Sequence, residues 1–159
     1  MYIILFLILF ALAIQDFRQR EISGLLIFIL FIVSFSLNSY HFSIQSSLQN
    51  ILFNGIFILV EFIGLTLYFS IRHGKLINPI DTFIGMGDLL FLIAVSALFS
   101  FQQYLLFFSI SLFTALLLYF IPYIKLVWKE KKIPLAGVLA IFTILSICFF
   151  SLHDINYLN

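Results

Sequence analysis

Charged residues are scarce in this sequence. Of its 159 residues only 9% are Asp, Glu, Lys or Arg, whereas 64% are hydrophobic. A soluble domain of this size is about one quarter charged, so this chain lacks the polar side chains needed to cover a surface in water. The composition therefore excludes a soluble globular enzyme and a disordered protein, and it predicts an integral membrane protein.

Cysteine and surplus basic charge are also scarce. Cys148 is the only cysteine, which excludes an intrachain disulfide and a CxxC zinc site. Eight Lys and Arg residues are balanced by seven Asp and Glu residues, so the chain lacks the basic face that nucleic acid requires. His41, His73 and His153 do not have the spacing of metal ligands, and we expect neither a metal nor a cofactor.

Long apolar runs favour membrane helices over a membrane barrel, whose strands alternate apolar and polar residues over about ten positions. Polar clusters divide the sequence into six apolar stretches, each expected to be a transmembrane helix. Their ranges are Tyr2–Ile14, Gly24–Leu37, Leu48–Ser70, Leu89–Phe101, Tyr104–Leu126 and Ile133–Phe150. We therefore expect an all-α integral membrane protein in which residues 1–159 form a single six-helix domain.

Lysine and arginine alternate between the connections. The five loops and the carboxyl tail carry 2, 0, 2, 0, 4 and 0 of these residues. Because cytoplasmic loops carry an excess of Lys and Arg, both termini are expected outside and the first, third and fifth loops inside. Arg18 and Arg20 follow the first apolar stretch and no basic residue precedes it, so we expect a retained helix and not a cleaved signal peptide.

Two aspartates are expected at the same depth, just inside the cytoplasmic face. A helix needs about 20 residues to span the hydrocarbon, so the first helix must continue to about Arg20, which leaves Asp16 about one turn inside. The fourth stretch is also short, and its helix must begin at or before Asp88. The matching depth predicts a carboxylate pair facing a shared wet pocket, and the alternative is two unrelated aspartates at helix ends.

Asp88 is preceded by glycines in Gly85-Met86-Gly87-Asp88. Glycine permits close backbone approach and relaxes the steric limits on φ. Such backbone suits an extended peptide, which proteolysis in a membrane requires because a helical substrate hides its scissile carbonyl. An aspartate in the first turn of a helix is also an ordinary capping residue.

Three patches at helix edges carry a family resemblance. They are Asp-Phe-Arg-Gln-Arg-Glu-Ile-Ser at residues 16–23, Gly-Met-Gly-Asp at 85–88 and Ile-Pro-Leu-Ala-Gly-Val-Leu-Ala at 133–140. In order and spacing the sequence resembles the type IV prepilin peptidases, which belong to the GxGD aspartic proteases. The resemblance extends over nearly the whole chain and implies a GxGD protease-like helix bundle.

The resemblance also implies an activity and a site. Asp16 and Asp88 would be the catalytic pair, and Gly85, Gly87 and Pro134 would bind or position the substrate. The expected reaction is removal of the leader peptide from membrane-inserted prepilin- or pseudopilin-like precursors, at the cytoplasmic face of the inner membrane. Two aspartates sharing one proton would activate water without a covalent intermediate. Pro134 also fits the first turn of a helix, which is its structural alternative.

Departures from the family pattern concern the leader-binding detail more than the chemistry. Ser23 replaces a proline, Leu90 stands where many members have Lys, and Gly137 falls one place after the family's glycine. The sequence also lacks the amino-terminal segment with paired CxxC motifs that bifunctional members carry. The methyltransferase activity of those members therefore has no support here.

Two other functions compete with the peptidase. Glu61 lies in the middle of the third stretch, and an intramembrane acid is a functional candidate by default. Together with Asp16 and Asp88 it would form the proton relay of a small proton- or cation-coupled carrier, a class that favours inverted repeats, which this sequence lacks. Glu61 also fits a hydrogen bond to a neighbouring helix, and Asp81 fits a turn or a competing second carboxylate. The other competitor is a non-catalytic assembly subunit.

Overall fold

The computed structural model describes residues 1–19, 21–75, 78, 80, 85–120 and 135–157. These residues form six α-helices, which confirms the expected helix count and the all-α class. The helices are α1 (Tyr2–Gln19), α2 (Gly24–His41), α3 (Ile44–His73), α4 (Met86–Ser96), α5 (Phe101–Phe120) and α6 (Leu135–Tyr157). The single-domain organisation of residues 1–159 stays a prediction.

Four of the helices, α1, α2, α3 and α5, are long and apolar enough to cross a membrane. The helix α4 is different, because its 11 residues are about 16 Å long, roughly half of the hydrocarbon thickness. We expected the fourth apolar stretch to be helical to Phe101, and this expectation is wrong. The helix ends at Ser96, a short turn follows, and α5 already begins at Phe101.

The short helix α4 is packed among other helices of the bundle. It packs against α2, α3 and α6, while α1 packs against α6 and α2, and α5 packs against α6 and α3. Phe91, Ala94 and Val95 of α4 are fully buried at these contacts. Their partners in the core come from every other helix and include Leu9, Leu30, Ile58, Phe107 and Leu139.

The outer surface of the bundle is apolar, as lipid contact requires. Large hydrophobic side chains are exposed along α1, α2, α3 and α5. The helix α3 is the most peripheral, since only Ser47, Asn54 and Ile58 are buried among its 30 residues. Helices in lipid associate by close packing and interhelical hydrogen bonds, because lipid is as apolar as the helix faces. The helices and their surface therefore describe a multi-pass membrane protein.

One end of the bundle brings three helix termini together. A Cβ atom placed on Gly87, at the start of α4, would lie 3.2 Å from Cδ1 of Ile22, in the α1–α2 connection. The same connection is closed by a hydrogen bond from the Ser23 N–H to Oε1 of Gln15, at 3.3 Å. The first turn of α6 contacts the last turn of α1 at this end, and the two aspartates lie there.

Candidate active site

Asp16 lies in the last turn of α1 and is only 5% exposed. A buried carboxylate must be hydrogen-bonded to offset its lost hydration. Its Oδ2 atom accepts a hydrogen bond from the Gly137 N–H at 2.6 Å. Gly137 is the third residue of α6, and the first four N–H groups of a helix have no acceptor within the helix. The buried carboxylate and the free helix terminus therefore satisfy each other.

Asp88 is the third residue of α4 and is partly buried. Its carboxylate is stabilised by the backbone N–H groups of Ala136 and Gly85. Gly85 is the N-cap residue of α4 and has no side chain to cap the helix, so the interaction of Asp88 with the Gly85 N–H is made by an acidic residue in the first turn with the start of its own helix. The capping role weighed from the sequence is therefore real, and it coexists with a contact to α6.

Two adjacent amides of α6 thus hold two carboxylates from different helices. The Ala136 N–H faces Asp88 and the Gly137 N–H faces Asp16. Asp16 and Asp88 are close enough to repel each other electrostatically. The structure brings together the two aspartates that the depth argument pairs, and the positive end of the α6 dipole lies between them.

Comparison with known families identifies the wider relationship. A model described as the type IV leader peptidase family matches residues 3–121, which is well over half of the chain and includes both aspartates. The chain belongs to the type IV leader peptidase family. The expected family is therefore confirmed, and the match includes the first two of the three sequence patches, whereas the third lies beyond the matched residues. No curated protein and no solved structure matches the chain.

Family membership makes this chain a membrane peptidase. The packing of its candidate site depends on glycines. A Cβ on Gly137 would lie 3.2 Å from Oδ2 of Asp16 and 3.1 Å from Cε2 of Phe17. Contacts this short are closer than ordinary van der Waals separation between carbon and its neighbours. Glycine at position 137 therefore allows α6 to approach α1 closely enough for the 2.6 Å hydrogen bond to Asp16.

The glycines of the Gly-Met-Gly-Asp motif also provide space. A Cβ on Gly85 would lie 3.0 Å from Oδ2 of Asp88, and one on Gly87 would meet Ile22. The backbone of Gly85 has φ −66° and ψ 139°, angles that any residue adopts, so the expected need for relaxed φ is wrong at this position. Its carbonyl already accepts the N–H groups of Asp88 and Leu89, so it serves α4 itself.

The two amide donors of this family member were not predicted from the sequence. Ala136 and Gly137 lie in the third patch, but backbone N–H groups carry no side-chain signature. The available signal was a glycine in the first turn of a helix that follows Pro134. Pro134 itself, like Arg20 and Asp81, lies outside the described residues.

Other candidate groups lie elsewhere. Glu61 is exposed on the outward surface of α3, whereas the two aspartates lie at the junction of α1, α4 and α6. Arg18 is exposed in the last turn of α1. Among the described residues, no group of three or more His, Cys, Asp and Glu side chains is placed to hold a metal ion.

Proposed function

We propose that this protein is an aspartic endopeptidase that removes the leader peptide of prepilin- or pseudopilin-like precursors. The observation that carries the proposal is the pair formed by Asp16 and Asp88, held by neighbouring backbone amides at the meeting point of three helices. Family membership supplies the peptidase activity in general, and the two carboxylates supply a chemistry for it.

The proposed chemistry is general acid–base catalysis by a carboxylate pair. Two neighbouring carboxylates in a poorly hydrated site favour a state in which they share one proton. The ionised carboxylate takes a proton from water as the water oxygen bonds to the scissile carbonyl carbon, and the protonated one donates to the carbonyl oxygen. The tetrahedral intermediate then collapses: the C–N bond breaks as the leaving amine takes a proton from one carboxyl group, and a hydroxyl group of the intermediate gives its proton to the other carboxylate, which restores the pair with one shared proton.

Asp88 is proposed as the base and Asp16 as the acid. Asp88 lies in the first turn of α4, where the helix dipole favours an anion, and Asp16 lies in the last turn of α1, where the dipole of that helix disfavours one. The Gly137 N–H works against the second effect at Asp16. The pair titrates as a unit, so the assignment concerns the reacting state and not two separate groups.

The site is proposed to face the cytoplasm, from an inner membrane in which both termini lie outside. The last turns of α1 and α3 carry Arg18 and Arg72, and Lys75 follows shortly after α3. Asp16 lies at this basic end of α1, and positive loops stay on the cytoplasmic side. The leader of a precursor inserted with its amino end in the cytoplasm would reach the aspartates from that side.

The glycines are proposed to position Asp88 and α4, because a side chain on either would displace the carboxylate or Ile22. The carbonyl and N–H groups of Gly85 are already engaged within α4. Residues other than Gly85 would therefore pair with the unwound substrate backbone. Pro134 is proposed to position the first turn of α6, as proline does at a helix start. No metal or cofactor is required by this chemistry.

The proposal is tested by co-expressing the protein with a tagged precursor in a host lacking its own leader peptidase. Wild type, Asp16→Asn and Asp88→Asn are compared at equal membrane levels, with Glu61→Gln as the matched carboxyl control on the lipid-facing surface. We expect leader removal by wild type and Glu61→Gln and none by either aspartate variant. Full cleavage by Asp16→Asn or Asp88→Asn would show that the site is wrong. Acid-driven ion flux in vesicles without any cleavage would favour a carrier.

A further inference from the structure

The helix α4 ends inside the bundle. It starts beside Ile22 at the end of the bundle that holds the aspartates, and its 11 residues carry it only about halfway across the hydrocarbon. The last carbonyl groups of a helix have no donor within the helix. Inside a membrane no bulk water replaces that donor, so every such carbonyl must be satisfied by the protein.

Two buried asparagines from neighbouring helices supply the missing donors. Nδ2 of Asn38, on α2, donates to the Ala97 carbonyl oxygen at 2.6 Å. Nδ2 of Asn54, on α3, donates to the carbonyl oxygens of Ser96 at 2.8 Å and Phe99 at 2.9 Å. These three carbonyls are at the end of α4 and in the turn that follows it.

A third helix contributes a hydroxyl group. The Tyr104 side chain of α5 is fully buried, and its O–H donates to the Leu92 carbonyl oxygen at 3.2 Å. Side chains from α2, α3 and α5 therefore donate hydrogen bonds to the carboxyl-terminal part of α4 and to the turn that follows it. We call Asn38, Asn54 and Tyr104 the α4 anchor.

Asn38 and Asn54 form these hydrogen bonds through their side-chain N–H groups only. The Oδ1 atoms of Asn38 and Asn54 are buried without a hydrogen-bond partner among the described residues. A buried acceptor without a partner is costly, and so is an amide in a membrane segment. The donors therefore have to contribute enough to offset that cost, which points to a requirement at the end of α4.

We propose that the α4 anchor positions Asp88. This inference rests on the proposed function for its catalytic consequence. Asp88 and Ser96 are on one continuous helix, about 12 Å apart along its axis, so a shift at the anchored end moves the other end too. The anchor fixes the depth of α4, and with it the placement of the Asp88 carboxylate against Ala136 and Asp16.

A disulfide trap reports the position of α4 independently of activity. The Cβ of a residue at position 87 would lie 3.5 Å from Cβ of Ile22, within the 3.5–4.5 Å range usual for disulfides. We would combine Ile22→Cys and Gly87→Cys in a Cys148→Ser background, oxidise membranes and follow the rate of cross-linking. Cys148 is replaced because it is free and exposed.

The anchor variants are Asn54→Ala, Asn38→Ala and Tyr104→Phe. The control is Asn50→Ala, which removes a partly exposed asparagine one turn earlier on α3. We expect Asn54→Ala to slow cross-linking at least fivefold, Asn38→Ala to slow it less because one hydrogen bond is lost instead of two, and Asn50→Ala to leave it unchanged. Tyr104→Phe removes only the hydroxyl and preserves the packing of the ring.

Cleavage kinetics are measured without the cysteine pair. A displacement of about 1 Å can lower a rate on the order of a hundredfold, so Asn54→Ala should lower kcat at least tenfold with KM within twofold of wild type. Tyr104→Phe should lower kcat two- to fivefold. A purely structural role would instead lower the amount of inserted protein and leave kcat per folded molecule unchanged.

The results separate this inference from the proposed function. If cross-linking is slower in the anchor variants but wild type cleaves no precursor, the positioning role of the anchor is supported and the leader peptidase assignment is wrong. Wild-type cross-linking and kcat in Asn54→Ala overturn the inference. If Asn54→Ala does not insert, Tyr104→Phe and Asn38→Ala decide, and wild-type values in both overturn it.

Discussion

Adding one methyl group at position 137 is the sharpest perturbation of the candidate site. In Gly137→Ala the new Cβ would lie 3.2 Å from Oδ2 of Asp16 and 3.1 Å from Cε2 of Phe17. The neighbours must move by a few tenths of an ångström, which separates α6 from α1 and lengthens the 2.6 Å hydrogen bond to Asp16. The change alters no titratable group, so any loss of activity comes from position alone.

The magnitude follows from the hydrogen bond that is disturbed. A hydrogen bond contributes about 0.5–1.5 kcal/mol when its acceptor is neutral and about 1.5–3 kcal/mol when it is charged, and about 1.4 kcal/mol is a factor of ten in rate. Because Asp16 shares a proton with Asp88 and its bond lengthens without being deleted, we expect a value between these two ranges, a drop in kcat of about tenfold. Alanine is a better helix former than glycine by about 1 kcal/mol, which offsets part of the packing strain on folding.

The assay is precursor cleavage in membranes, normalised to the amount of inserted protein. Gly64→Ala is the matched control, because a Cβ on Gly64 in α3 would meet nothing within 4 Å. We expect the control to cleave at the wild-type rate. Wild-type kcat in Gly137→Ala would refute the reasoning, since it would show that the contact between α6 and Asp16 does not matter for the reaction.

Further predictions concern the Gly-Met-Gly-Asp motif and the outer acid. Gly85→Ala places a Cβ 3.0 Å from Oδ2 of Asp88 and should lower kcat at least tenfold with normal insertion, as measured by cleavage at matched membrane levels. Gly87→Val should abolish cleavage because its side chain meets Ile22. The smaller change Gly87→Ala should lower activity, and adding Ile22→Ala to it should recover part of that activity. A lack of recovery would show that the contact with Ile22 is not the cause of the defect. Glu61→Gln, on the exposed face of α3, should cleave within twofold of wild type, and a large loss would return Glu61 to the candidate site.

The end of α1 at the site was predictable from the membrane thickness. The apolar part of the first stretch ends near Ile14, yet spanning requires more residues, and α1 does continue to Gln19 with Asp16 one turn from its end. The same argument placed the start of the fourth helix at or before Asp88, and α4 begins at Met86. The first result follows from counting residues against a fixed thickness. The second was reached by assuming that the fourth helix spans the membrane, which the 11 residues of α4 do not do.

The end of α4 was not predictable in this way. The apolar run continues to Phe101, so hydropathy alone favours a longer helix than the one that ends at Ser96. What permits the early end is the supply of donors from Asn38 and Asn54, which are distant in sequence. Sequence periodicity reports which face of a helix is apolar and does not report which remote side chain satisfies its last carbonyls.

The candidate site was likewise only partly predictable from the sequence. The aspartate pair was predictable, because carboxylates are rare and costly in a membrane chain and their depth can be estimated from the sequence. The contribution of α6 was not, because Ala136 and Gly137 act through backbone N–H groups and through the absence of a side chain. Only the folded arrangement shows that backbone N–H groups of the third patch interact with the aspartates of the first two.

Cleavage of a leader peptide by Asp16 and Asp88 together is tested most directly with the purified protein. It would be reconstituted in vesicles with a prepilin-like precursor, and the product masses would be measured over time. We expect wild type to make a single cut that releases the leader peptide, and we expect no cut by Asp16→Asn or Asp88→Asn inserted at the same level. A wild-type rate in either variant, or no cut by wild type across a panel of precursors that includes those of its own genome, would contradict this expectation.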